Sequence, residues 1–288
     1  MTTRRFFLQS GAMAAGLLGA GMSVAQPVLE PVTLDLLRSA HPTHRFDDRL
    51  VETSGGRRYR LFRAIPKAAP PEAGWPALWL TDGNAVFDRL PPDLLAAHPG
   101  LVVIGIGYDT DLPFETTARA LDYTPPPLRP DPRRAERQVG GADAFLARID
   151  GPLRAEAERG LSIDASRRTL AGHSYGGLFA LYARARGASF TQYGAISPSL
   201  WLAPDLEPGG TAPLTILVGD AERGAEGGAP EDTRRFIAQG AGQRIRVILL
   251  PGLSHGATLA GALPELMAIA SVGHNGAKIG RHLQKRPN

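Results

Sequence analysis

A serine held between two glycines decides most of what this chain can become. Gly172-His173-Ser174-Tyr175-Gly176 reads G-x-S-x-G. Residues 168–171 before it read as a short buried strand, and residues 177–183 after it read as a helix. Strand, tight turn and helix in that order lift a serine hydroxyl above the carboxyl end of a sheet. The glycines allow the sharp turn and let the helix pack close. The pentapeptide alone is a weak signal, so the surrounding pattern must carry the argument.

That pattern alternates strands with helices. Residues 43–53 and 57–65 read as two strands joined by Ser54-Gly55-Gly56. Further strands are expected at 77–80, 101–106, 192–196, 214–218 and 245–250. Helical periodicity marks 86–97, 141–159 with a kink at Pro152, 230–239 and 258–270. Such alternation predicts a mostly parallel sheet with helices on both faces. Residues 107–140 are rich in proline and charge, Pro125-Pro126-Pro127 among them, and read as irregular. A loop this long in a compact domain is expected to serve as a lid or substrate wall.

The ends of the chain carry a different kind of information. Residues 1–25 read as a signal peptide, with the twin-arginine pattern Thr3-Arg4-Arg5-Phe6-Phe7-Leu8 and small residues Ser23-Val24-Ala25 for cleavage. The expected address is the periplasm, and the short, glycine-rich apolar stretch predicts no stable membrane anchor. Residues 26–288 are expected to form one domain, closing in a basic tail over 272–288. The formal net charge is +4, and removing Arg4 and Arg5 leaves +2. So small a charge does not suggest a nucleic-acid partner. With no cysteine, disulfides, thiolate metal sites and cysteine nucleophiles are excluded.

A serine hydroxyl is a poor nucleophile without a base beside it. After such an elbow, the acid and then the histidine follow the serine along the chain. His41, His44 and His98 precede Ser174, and His173 is inside the elbow. His274 and His282 lie in the tail, whereas His255 stands between an expected strand and helix. His255 is therefore the candidate base. The candidate acid is Glu222, with Asp220 behind it in Gly219-Asp220-Ala221-Glu222, and a serine–histidine dyad remains open. An oxyanion hole needs two amides; Tyr175 should give one and the turn Gly83-Asn84 the other. His41-Pro42-Thr43-His44 lacks a visible third ligand, so neither metal nor cofactor is expected.

With these residues placed, the chain resembles the α/β-hydrolases that act as siderophore esterases, which open catecholate trilactones of the enterobactin and salmochelin type. The resemblance runs through Leu78-Trp79-Leu80-Thr81-Asp82-Gly83-Asn84, Ile104-Gly105-Ile106-Gly107-Tyr108 and Arg119-Ala120-Leu121-Asp122-Tyr123-Thr124-Pro125. It continues through the elbow, Ser197-Pro198-Ser199-Leu200-Trp201 and Ser254-His255-Gly256. It implies an α/β-hydrolase fold and catalysis by Ser174 and His255. It implies substrate contacts from Arg119, Tyr108 and Trp201, and a small-molecule siderophore ester as substrate, with or without iron.

Arg119, Arg129, Arg133, Arg134 and Arg137 fall in or beside the expected lid. Such a cluster would attract an anionic ferric catecholate and stack on its rings. Two other readings compete. A general carboxylesterase or acyl transferase would share the triad without needing the arginines. A non-catalytic siderophore-binding protein would not need the elbow.

Overall fold

The computed structural model describes residues 30–126, 137–225 and 228–272. The expected signal peptide, Arg129, Arg133, Arg134 and the tail from residue 273 lie outside the described residues. Eight strands build one sheet: β1 (His44–Thr53), β2 (Arg57–Pro66), β3 (Trp75–Thr81), β4 (Val102–Tyr108), β5 (Ile163–His173), β6 (Gln192–Ile196), β7 (Leu214–Gly219) and β8 (Ile245–Leu250). Their order across the sheet is β1-β2-β4-β3-β5-β6-β7-β8. β2 runs antiparallel to both β1 and β4, and every other neighbouring pair is parallel.

The helices are α1 (Asp35–Arg38), α2 (Gly83–Arg89), α3 (Pro92–Ala96), α4 (Thr116–Asp122), α5 (Ala142–Arg148), α6 (Arg154–Ala157), α7 (Tyr175–Ala185), α8 (Glu231–Gln239) and α9 (Thr258–Val272). The side-chain period of two splits β3 between two cores. Ala77 and Trp79 join Phe145, Phe179 and Phe236 on one face. Leu78 and Leu80 join Phe87, Leu266 and Met267 on the other. A strand covered on both faces must be apolar throughout, which is why β3 and β4 read as unbroken apolar runs. The edge strand β1 instead carries Asp47 and Asp48, paired with Arg63 and Arg60 of β2. Charge there discourages another chain from adding to the edge. Among the described residues no helix is long and apolar enough to cross a membrane.

Three expectations change. The helix expected over 86–97 is two helices, because Pro91 has an extended backbone and Pro92 starts α3 afresh. The segment expected to be irregular contains α4, whose start is capped by the Glu115 carboxylate accepting from the Ala118 amide. The strand before the elbow begins at Ile163, since its first half is partly exposed and so lacks a continuous apolar signal. Around Pro152 the chain does kink: Ile149–Leu153 forms a π-type turn with Gly151 outside helical geometry.

In such a sheet the loops after parallel strands gather at the carboxyl ends, where α/β folds bind ligands. The segments after β3, β4, β5, β6, β7 and β8 lie at that edge and hold the candidate residues.

Candidate active site

Ser174 sits between β5 and α7 with φ 60° and ψ −112°, a strained conformation for a residue with a side chain. The turn is held by the Ser174 amide donating to the Ile196 carbonyl at 2.9 Å, while the Leu178 amide donates to the Ser174 carbonyl at 3.0 Å. A side chain at Gly172 would strike Thr81 and the Gly176 backbone, and one at Gly176 would strike Thr81 again. The two glycines of the motif thus let β3 close against the elbow.

His255 comes from the loop between β8 and α9. Its Nε2 lies 3.1 Å from Ser174 Oγ, and its Nδ1 lies 3.0 Å from Glu222 Oε2. Glu222 follows β7, and its side chain is 6% exposed against 49% for His255. Asp220 points elsewhere: its carboxylate accepts from the Gly252 amide at 2.6 Å. Of the two candidate acids, Glu222 is the one that meets the histidine.

Glu222 is held from behind. Its Oε1 accepts from Ser197 Oγ at 2.6 Å and from the Gly219 amide at 2.8 Å. Burial works to raise the Glu222 pKa, but the hydrogen bonds from His255, Ser197 and Gly219 outweigh it and hold the carboxyl below its ordinary range. Ser197 itself has φ 44°, and its amide donates to the Leu217 carbonyl at 2.8 Å. Thr258 Oγ1 lies 2.7 Å from Ser197 Oγ and 2.8 Å from the His255 carbonyl oxygen. Each hydroxyl has one proton, so the directions follow. A carboxylate can only accept, so Ser197 donates to Glu222. The proton between Ser197 and Thr258 is then Thr258's, shared with the His255 carbonyl.

The same carbonyl meets His173 Nε2 at 2.8 Å, which must therefore carry its proton. Burial, with His255 close by, pushes the His173 pKa down to about 3, so the ring stays neutral. Sequence reasoning gave no role to His173, Ser197, Ser199 or Thr258. Ser199 Oγ lies 3.0 Å from Ser174 Oγ. The only signal was a pair of hydroxyls, Ser197 and Ser199, just past a strand end.

On the other side of Ser174 stands the turn after β3. Asp82 has φ 56°, and α2 begins at Gly83, so the Gly83 and Asn84 amides are first-turn donors. Asn84 is pinned by its side chain, which accepts from the Tyr108 amide and donates to the Tyr108 and Thr110 carbonyls. Tyr175 opens α7 beside this turn, and its ring lies 6.4 Å from that of Trp201.

Two of the expected substrate contacts are placed differently. Tyr108 is buried and its hydroxyl donates to Asp122, which also takes Tyr59 and Arg57. Its strand position turns the ring into the core, where it packs near Tyr59 and Tyr123. Arg119 lies on α4, and its guanidinium makes a two-pronged pair with Asp82 at 2.9 and 2.8 Å. It also reaches the His173 carbonyl at 3.4 Å and stacks near Phe114, Tyr123 and Tyr175. Arg119 therefore bolts the β3 turn to the elbow, and its charge is balanced by Asp82. Among the described residues, no group of three or more His, Asp or Glu side chains is arranged to hold a metal ion.

No family model matches the chain. It is 35% identical over 187 residues to the apo-salmochelin esterase of Escherichia coli O6:H1 (strain CFT073), a match covering 61% of this chain and 58% of that protein. It is 38% identical over 165 residues to the ferri-bacillibactin esterase BesA of Bacillus subtilis (strain 168), covering 51% of this chain and 56% of that one. The chain thus spans less than two thirds of the length of these curated relatives. The solved structure of the enterobactin and salmochelin hydrolase IroE superposes with a TM-score of 0.66 at 30% identity. That superposition covers 81% of this chain and 99% of IroE.

Proposed function

We propose that this chain, which belongs to the siderophore-esterase family of α/β-hydrolases, hydrolyses ester bonds of a catecholate siderophore lactone. The observation that carries the chemistry is the continuous line from Ser174 Oγ to His255 Nε2 and from His255 Nδ1 to Glu222, at 3.1 and 3.0 Å. His255 takes the serine proton as Oγ attacks the ester carbonyl carbon. Glu222 stabilises the imidazolium so formed. The amides of Tyr175 and of Asn84 or Gly83 receive the oxyanion. The leaving alkoxide takes the proton from His255, which then draws a proton from water to hydrolyse the acyl-enzyme.

The substrate class is inferred from the relatives' names together with the aromatic and guanidinium groups of Phe114, Tyr175, Trp201 and Arg119, which pack on one another beside the elbow. Because Asp82 balances Arg119, that point of the site favours an uncharged, iron-free lactone over the anionic ferric complex. Labelling by a fluorophosphonate tests the nucleophile. Chromatography of products from iron-free lactone, iron-loaded lactone and simple acyl esters tests the substrate. If only simple esters are cleaved, the general carboxylesterase reading replaces this one.

We further propose export to the periplasm through the twin-arginine pattern at Arg4-Arg5. Replacing both arginines by lysine should retain the precursor inside the cell. Mature protein outside the cytoplasm despite that change refutes the route.

A further inference from the structure

We infer that Ser199 is a second catalytic hydroxyl, one that donates to Ser174 Oγ and assists mainly in releasing the acyl group from it. The inference rests on the reading of Ser174 as nucleophile and goes beyond it.

Ser199 Oγ lies 3.0 Å from Ser174 Oγ, slightly nearer than His255 Nε2. Its position is rigid. The Ser199 amide donates to the Ser174 carbonyl at 3.1 Å, and the Ser199 carbonyl accepts from Leu202 at 3.1 Å. The residue is 3% exposed. It stands where the loop after β6 is wedged against the elbow: a side chain at Gly177 would run into the Ile196 carbonyl and Pro198.

Proton counting assigns the donor. The Glu222 carboxylate fixes the imidazole proton on His255 Nδ1, so Nε2 is a bare acceptor. The one proton of Ser174 must point at Nε2 if His255 is to remove it. The proton between the two serine oxygens therefore belongs to Ser199. The reverse arrangement would aim the Ser174 proton away from its base.

A donor at that place acts differently in the two half-reactions. Before acylation, Ser174 Oγ is a hydroxyl oxygen and already accepts well, so the bond strengthens only modestly as charge develops. In the acyl-enzyme, Oγ is the alkyl oxygen of an ester, a poor acceptor. During deacylation, water adds to the acyl carbon as His255 takes its proton. The carbon–Oγ bond then breaks, its electron pair goes to Oγ, and Oγ takes the proton back from His255. The products are the carboxylic acid and free Ser174. Ser199 transfers no proton; its hydrogen bond strengthens as the leaving Oγ gains charge. Interactions that form chiefly in the transition state are those that accelerate a step.

The test uses rapid mixing with p-nitrophenyl butyrate, which separates the acylation burst from later turnover. Ser199→Ala should slow deacylation about tenfold, as expected for one hydrogen bond to a charged oxygen, and slow acylation less than about threefold. Acyl-Ser174 should then accumulate by intact-protein mass spectrometry, with kcat and KM falling together. Ser199→Cys, of similar shape and with a weak donor, should lie between Ala and wild type. It carries the comparison if Ser199→Ala melts below the assay temperature. Equal slowing of both steps, or no change in either, overturns the role of Ser199 while wild type still turns over. If wild-type protein is neither labelled by a fluorophosphonate nor active, the nucleophile reading fails and this proposal fails with it.

Discussion

Glu222→Gln is the substitution that decides whether the site works as a triad. Gln keeps one acceptor oxygen, and Ser197 and the Gly219 amide both donate to the position of Oε1. The amide oxygen will therefore stay there, and the new NH₂ will face His255 Nδ1 at the 3.0 Å contact. Two donors cannot face each other, so the imidazole must move its proton to Nε2. A protonated Nε2 is no longer a base for Ser174. The lost attraction can be sized as well. Charge centres about 4 Å apart at an effective dielectric near 20 interact by about 4 kcal/mol, or on the order of 10³-fold in rate. Losing the equivalent group in a full triad costs up to about 10⁴-fold. We expect kcat on an ester to fall on the order of 10³-fold or more in Glu222→Gln, and less than about threefold in Asp220→Asn, whose carboxylate meets the Gly252 amide instead. A stability check accompanies the rate. The Glu222 pKa is depressed from 4.5, so its stabilisation is full above that value and is lost as pH falls through the lower folded value. Wild type should lose more stability than Glu222→Gln across that window. Glu222→Gln retaining more than about a tenth of wild-type kcat, or Asp220→Asn costing as much, refutes the reasoning.

Three more outcomes are expected. Ser174→Ala should remove nearly all hydrolysis and all fluorophosphonate labelling while the melting temperature holds; substantial activity in the purified variant would sink the nucleophile assignment. His173 has a folded pKa of about 3 against an ordinary 6.5, so its stabilisation is full above 6.5 and is lost as pH falls toward 3. Between pH 8 and pH 5 wild type should lose about 2 kcal/mol more than His173→Gln by urea unfolding, and parallel curves would refute the buried neutral ring. Arg119→Lys keeps the charge but loses the two-pronged grip on Asp82, and should lower kcat about tenfold even on a small neutral ester, with KM little changed. A loss confined to KM for anionic substrates would make Arg119 a receptor for charge rather than a brace.

The sheet was legible because its strands carry their own signal. β3, β4 and β7 are buried on both faces and so read as apolar runs without any knowledge of their partners. Ser174, Glu222 and His255 were legible because the fold imposes their order along the chain and the loops that carry them. The sequence favoured Glu222 over Asp220, and the physical reason shows in the coordinates: two positions in one loop differ in where the backbone aims them, Glu222 at His255 and Asp220 at the Gly252 amide. Arg119 and Tyr108 show the opposite limit. Both belong to segments that mark a family, and a basic or aromatic residue near a site suggests a ligand. Their partners, Asp82 and Asp122, come from elsewhere in the fold: Asp82 is 37 residues from Arg119, and Asp122 is 14 from Tyr108. No local pattern announces such pairings.

The arrangement of those partners explains how a site assembled from separate loops is held together. Each loop is short and would be soft alone. Each is instead tied to a neighbouring loop through a buried polar group. Arg119 joins the β3 turn to the elbow through Asp82 and the His173 carbonyl. Ser199 joins the loop after β6 to Ser174. Ser197 and Thr258 join the Glu222 loop to the His255 loop, and His173 returns that connection to the elbow. A buried donor or acceptor left without its partner costs about 1–3 kcal/mol, and that cost resists any one loop moving away from the rest. The strained backbones at Asp82, Ser174 and Ser197 sit at the points where these ties converge. Strain of that kind persists only where the surroundings over-determine it. A chain with no cysteine can thus hold Ser174 and His255 3.1 Å apart by hydrogen bonds across strand ends.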